Sequence, residues 1–259
     1  MKRNSKLFLI LIATLLVLTG CSSKDLIKIE NLNELENKKV GVFTGSEYDT
    51  ILKNKVESAI PIYYNNYSDQ ISALKSGKID GFLTDEPLAK EMIKNNSGIK
   101  YLDTFLTNDS YAFAINPKLT ALQEQVNNVL KQMKTDGTLE EMAEKWMGDD
   151  ESKKVLPSYN YDDSKGIIKF ATVSGSAPFA YMKDNKIVGY DIEIIMYIAK
   201  ELNYKLEVTE MSWEGVLPAI ASGKMDMAGC SIIVTEERQK SVLFSEANFT
   251  GGIVVVVRK

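Results

Sequence analysis

Histidine is absent from all 259 residues, and cysteine occurs only twice. Without imidazole there is no Ser-His-Asp or Cys-His nucleophile system and no histidine-ligated zinc or haem. Any chemistry would have to run on carboxylates, lysine, tyrosine or hydroxyls. Positive charge is not in excess: 31 basic residues stand against 35 acidic ones, for a net charge of −4 and a pI near 5.2. That balance argues against a nucleic-acid partner held through its phosphates. The apolar fraction of 44% and the charged fraction of 25% are those of an ordinary folded chain, which excludes disorder, collagen and coiled coil. At about 150 residues per domain, the length admits one domain or two.

What is present begins with the leader. Lys2, Arg3 and Lys6 precede the uncharged apolar stretch 7–20, too short for the roughly 20 residues of a membrane span. This is the pattern of an export signal. The stretch ends in Leu18-Thr19-Gly20-Cys21, which resembles a bacterial lipobox. The resemblance implies cleavage before Cys21 and attachment of a diacylglycerol to its sulfur, placing the protein outside the cytoplasm and tethered to the membrane by lipid. Cys230 is then the one remaining free thiol, and a disulfide within one chain is excluded.

The chain also echoes itself. Residues 73–80 read ALKSGKID and residues 219–226 read AIASGKMD, sharing Ala, Ser, Gly, Lys and Asp in register. Upstream of each lies an apolar run entering a Gly/Ser loop, VGVFTGS at 40–46 and KFATVSGS at 169–176. The second copy carries an extra stretch near 181–191. Such self-similarity means two related halves. Each half reads as strand, Gly/Ser loop, helix, strand, helix, Ser-Gly turn, strand, with strands at 38–43, 79–83, 168–173 and 225–229. Asp191 is positioned to cap a helix whose apolar residues Ile192, Ile195, Met196, Ala199 and Leu202 follow helical spacing. Strands alternating with helices predict parallel α/β lobes, whose ligands sit beyond the carboxyl ends of the strands. A helix over 119–134 ends at Gly137, where Thr138-Leu-Glu-Glu141 suggests a capping box for a second helix ending at Gly148. The polar stretch 149–166 then links the halves, with Val155, Leu156, Tyr159 and Tyr161 able to dock on a surface.

These motifs resemble the solute-binding proteins of polar amino acid ABC importers, the bacterial family-3 type. ATVSGSAPFAYMKDNKIVGYDIEI, SWEGVLPAIASGKMD and VTEERQKSVLFSEANF in the second half are similar to the family's N-terminal lobe. ELENKKVGVFTGSEYD, SGKIDGFLTDEP and DGTLEEMAEKWMG in the first half are similar to its C-terminal lobe. The order is reversed relative to the family, as in a circular permutation cut at the hinge or a fragment of a tandem array. The implied fold is α/β, a two-lobed periplasmic-binding-protein-like clamp of type II, circularly permuted behind a lipoprotein signal. Its segments are a signal at 1–20, a lobe with the closing helices at 21–148, a linker at 149–166 and the other lobe at 167–259.

The resemblance also implies roles. A zwitterionic amino acid needs a cation for its carboxylate and an anion for its ammonium. Arg238, in the helix opened by Thr235, is the candidate cation, able to grip a carboxylate with two parallel hydrogen bonds. Asp85 is the candidate anion, although an Asp before a turn is also an ordinary helix cap. Thr44, Gly45 and Ser46 offer hydroxyls and N–H groups for carboxylate oxygens, and Trp213 stands where the family packs a ring on the ligand side chain. Ser176 stands where a second aromatic is usual, and Ile233 where a hydroxyl residue often touches the ligand, with Ser231 two positions earlier. Glu47 replaces a small hydroxyl residue. A missing aromatic wall and an added carboxylate point to a wider pocket or to a cationic or polar side chain. The partners implied are a free amino acid, a transporter permease and the membrane through the lipid, with no cofactor, metal or nucleic acid. A binding protein rather than an enzyme is expected; a small-molecule dehydratase and a sensing module without transport are the alternatives.

Overall fold

The computed structural model describes residues 26–161 and 165–259; the expected export signal and the expected lipidation at Cys21 lie outside the described residues. Two five-stranded sheets dominate, and they share one strand order. In the first lobe the order is Ile60–Tyr64, Lys39–Phe43, Gly81–Asp85, Ile253–Arg258, Ile99–Tyr101. In the second it is Lys205–Glu210, Ile167–Thr172, Met227–Ala228, Ala114–Ile115, Leu243–Phe244. The first three strands of each sheet run parallel, and the fourth is antiparallel to its neighbours on both sides.

The echoed octapeptides do the same work in both lobes. Each ends a helix through a left-handed glycine, Gly77 at φ 73° and Gly223 at φ 79°, a conformation that a Cβ would oppose. Each then clasps the neighbouring strand of its sheet, Lys39–Phe43 or Ile167–Thr172, through the closing Asp. Asp80 donates its N–H to Lys39 O at 2.7 Å and accepts from Lys39 N at Oδ2. Asp226 does likewise with Lys169, at 2.9 and 2.8 Å. The shared Ser, Gly and Asp thus set the register of the third strand on the second.

The fourth strand of each sheet comes from the far half of the chain. Residues 253–258 complete the first lobe and residues 114–115 the second, so the chain crosses between lobes along the antiparallel pair Asp109–Tyr111 and Phe249–Gly251. The helices Thr120–Asp136 and Thr138–Met147 pack on the second lobe: Leu122, Val126, Leu130, Met133 and Trp146 join Phe170, Ile192, Ile195 and Ile198 in one core. Packing therefore divides the protein near residues 110 and 250, whereas the motifs suggested a division at 149–166. The apolar stripes of these helices are continuous with the second lobe's core, and burial rather than chain order decides where they settle. Glu193 fixes the attachment, accepting from Trp146 Nε1 and from Lys145 Nζ at 2.9 Å.

Three local expectations are revised. The helix at Thr138 has Gly137 as its N-cap, without a side-chain cap bond, so the capping box does not form; Thr138 N donates to Asp136 Oδ1 instead. A single left-handed residue between two helices leaves no extended position for Thr138 to occupy. Asp191 lies inside the helix Tyr190–Glu201, whose N-cap is Gly189, and its carboxylate is spent elsewhere. In the linker, Val155 is exposed, and the anchor is Lys154, buried and paired with Glu91 of the first lobe and Glu151. Leu156 and Tyr161 do pack on the second lobe's core, and Tyr159 meets Tyr161 and Tyr197 edge-on.

Arg258 holds the first described segment to the last strand. Its guanidinium donates to Leu74 O, Ile79 O and Ile27 O and reaches Asp80 Oδ1 at 3.1 Å. Replacement by methionine fills most of the volume but strands those carbonyls, each buried acceptor costing about 1–3 kcal/mol. Arg258→Met is expected to lower the unfolding free energy by at least that amount in urea titration, while Lys259→Met, at an exposed position, should change little.

Candidate functional site

Where the two lobes face each other, a partly open cleft, about 420 Å³ including the solvent at its mouth, is lined by Phe43, Ser46, Glu47, Tyr48, Tyr67 and Asp85 from the first lobe. Val173, Ser176, Trp213, Cys230, Ser231, Ile233 and Arg238 line it from the second. These positions follow strand ends and helix starts, where parallel α/β sheets expose their loops. Of the residues singled out from sequence, Ser46, Asp85, Ser176, Trp213, Ser231 and Arg238 are brought to one cavity. Thr44 is not among its walls. Its hydroxyl and its N–H both donate to Tyr64 O, closing the end of the neighbouring strand. Gly45 lies behind the lining at φ 75°, and a Cβ there would come 3.5 Å from the Trp213 ring. Ser46 donates its hydroxyl to Phe43 O and accepts from Tyr48 N, which opens the helix Tyr48–Lys55.

Asp85 ends the strand Gly81–Asp85 and occupies the N-cap position of the helix Glu86–Asn95, yet makes no cap bond. Its carboxylate, 2% exposed, turns into the cavity and accepts three hydroxyls. Tyr111 donates to Oδ1 at 2.7 Å, and Tyr48 and Ser231 donate to Oδ2 at 3.0 and 3.2 Å. The alternative of an ordinary cap is thereby set aside. Burial raises its pKa to about 6, against the lowering effect of the three hydroxyls. Tyr48 and Tyr111, buried beside that carboxylate, are held far above the usual phenol range and act as donors.

Behind Ser231 stands a second buried carboxylate. Ser231, at φ 49°, offers its hydroxyl to Asp85 and its N–H to Asp191 Oδ2 at 3.1 Å. Asn248 Nδ2 donates to Asp191 Oδ1 at 2.8 Å. Burial raises the pKa of Asp191 to about 7. One serine thus spaces two carboxylates, in a strained left-handed conformation that non-glycine residues seldom adopt.

Arg238 lies in the short helix Glu236–Gln239, with Thr235 as the N-cap that its sequence suggested: Thr235 Oγ1 accepts Arg238 N at 3.2 Å. The guanidinium is 7% exposed, donates from Nη1 to Ile233 O at 2.9 Å, and lies 5.6 Å from the Trp213 ring centre. Burial draws its pKa down, and Glu47, whose Oε1 lies 3.4 Å from Nε, opposes that shift. Cys230 also lines the cavity, and burial pushes its thiol up to about 12, so it is no ready nucleophile.

Reading by sequence missed Tyr48, Tyr67, Phe43 and Tyr111 as parts of this site. Tyr48 follows directly on the Gly/Ser loop that was singled out, and that adjacency is a usable signal. Tyr111 sits on a crossing strand whose partner is 138 positions away, at Phe249, and nothing local marks it. Phe179 belongs to the core, fully buried against Tyr111, Tyr190 and Phe249.

The ABC transporter glutamine-binding protein GlnH of Bacillus subtilis is 31% identical over 137 residues, 53% of this chain and 48% of that protein. A putative ABC transporter arginine-binding protein 2 of Escherichia coli is 28% identical over 124 residues, 46% of this chain and 51% of that one. The chain spans about half the length of the curated relatives it matches. Among solved structures, the ligand binding component of an ABC-type import system from Staphylococcus aureus is 16% identical. It aligns with a TM-score of 0.45 over 85% of this chain and 65% of that one. The family model described as bacterial extracellular solute-binding proteins, family 3, matches residues 30–149 and 168–259, two segments separated by the linker. The α/β clamp carries its echoed motifs in both matched segments, and this chain belongs to the bacterial extracellular solute-binding proteins of family 3.

Proposed function

We propose that the protein is the substrate-binding component of an ABC importer, holding a polar amino acid between its lobes for delivery to a membrane permease. The observation that carries this reading is the opposition of two buried charges across one cleft, Asp85 on the first lobe and Arg238 on the second. An α-amino acid presents an ammonium and a carboxylate a few ångströms apart, and this pair is set to take one each. Trp213, whose ring centre lies 5.6 Å from the guanidinium, offers a face for a side chain, and Ser46, Ser176 and Ser231 offer hydroxyls. The match to amino-acid-binding relatives supports the same reading. We further propose the lipid anchor at Cys21, on the strength of the lipobox, and the permuted lobe order, on the strength of the motifs that recur in reversed sequence. Closure of the lobes about a hinge at the two crossing strands would trap the ligand.

Two outcomes are expected. Calorimetry of the purified protein against the twenty amino acids and ornithine should find saturable binding. Asp85→Asn should weaken it by on the order of 100-fold, the loss expected when one member of a buried charge pair is removed. Absence of heat with every ligand at millimolar concentration would sink the reading.

The second outcome concerns pH. Asp85 and Asp191 bind protons more tightly in the folded chain, at about 6 and about 7, than in the unfolded one, near 3.9. Their contribution to stability is thus fully present below the unfolded value and is lost as pH rises through 6 and 7. The Tm of the protein without added ligand should fall from pH 5 to pH 8, less steeply in Asp85→Asn. Ligand affinity should run the other way: an ammonium requires the ionised Asp85, so affinity should drop about tenfold per pH unit below 6.

A further inference from the structure

The charges lining the cleft do not balance. Among the described residues that form its walls, the charged ones are Glu47, Asp85 and Arg238, two carboxylates against one guanidinium. Glu47 is not a bystander to this count. It stands at the N-cap position of the helix Tyr48–Lys55, where its side chain makes no cap bond. Instead Oε1 reaches across from the first lobe to Arg238 Nε on the second at 3.4 Å. Asp85 behaves alike, occupying an N-cap without capping and facing the same cavity. Asp85 forgoes the cap bond that Asp commonly makes at this position, and both acids are turned inward to the cleft.

The consequence for a ligand follows from pairing. A neutral zwitterion brings one ammonium for Asp85 and one carboxylate for Arg238. Its carboxylate must then share the guanidinium with Glu47, placing two like charges side by side in a partly desolvated site. A ligand carrying one additional positive charge avoids this. If the charge is on its side chain, Glu47 gains a partner when the ligand carboxylate takes Arg238. If the ligand carboxylate is masked as an amide, the Glu47–Arg238 pair stays intact and the ammonium still meets Asp85.

We infer that Glu47 is a specificity-determining residue that makes the cleft select ammonium ligands of net charge +1 over neutral zwitterions. The inference rests on the substrate-binding function proposed above, and it names the substrate class as a basic amino acid or a carboxyl-masked amine. The cleft charge is −1 with Glu47 and zero without it, so the preference belongs to this one side chain.

The test is calorimetric titration at pH 7 of wild type, Glu47→Gln and Glu47→Asp with glutamine, ornithine and glutaminamide. Thermal unfolding of each variant confirms that it is folded. Wild type is expected to bind ornithine, glutaminamide or both at least about tenfold more tightly than glutamine, the scale of one partly screened charge interaction. Which of the two is favoured tells a cationic side chain from a masked carboxylate. Glu47→Gln should remove or reverse the preference, and Glu47→Asp should keep it in part. In wild type the preference should also shrink as salt is raised. Equal or tighter binding of glutamine to wild type, or a preference unchanged in Glu47→Gln, overturns the inference and leaves the substrate-binding reading standing. No heat from any of the twenty amino acids, ornithine or glutaminamide, with wild type or variant, overturns both.

Discussion

The buried carboxylate of Asp85 is the point on which the molecule turns. It takes hydroxyls from three separate parts of the chain: Tyr48 on a helix of the first lobe, Tyr111 on a crossing strand, and Ser231 on a loop of the second lobe. Ser231 passes the connection to Asp191, and Asn248, next to the other crossing strand, completes it. An anion removed from water at this depth is tolerable only with donors in place, so the carboxylate demands that these elements meet. The same demand leaves the group raised toward neutrality and ready to gain from a cation. A ligand ammonium would supply what three neutral hydroxyls do not, which is a full charge.

Around that node the architecture repeats itself. In chain order each lobe sets its first parallel strand between its second and third, and each uses an αL glycine and an Asp clasp to bring the third into register. Neither lobe finishes its own sheet, because each borrows a fourth strand from the distant half of the sequence. That exchange couples the lobes through two adjacent extended segments, the arrangement a hinge requires. It also moves the closing helices onto the second lobe, where Trp146 and its neighbours complete the larger core.

Much of this was legible in the residues. The strands at the echoed motifs, the helix pair around Gly137 and the N-cap at Thr235 all emerge from local rules of propensity, turn chemistry and capping. Asp85, Arg238 and Trp213 could be placed in one site because the short motifs that carry them resemble those of the family. The capping box at Thr138 and the cap at Asp191 went the other way. In both, a glycine immediately before the helix took the N-cap position, and the polar side chain was left to other partners. Thr44 was misplaced for a similar reason, since its hydroxyl closes a strand end and never reaches the cavity.

The sequence alone determined the echoed turns and their αL glycines, because each is written in residues within a few positions of one another, and it named the opposed charges through motifs that resemble the family's. Tertiary structure decided which lobe owns the closing helices, which tyrosines hold Asp85, and that Glu47 spans the cleft to Arg238. Those outcomes depend on contacts between residues scores of positions apart. Local pattern records a side chain's chemistry and its face of a helix or strand; only packing selects the partner it meets.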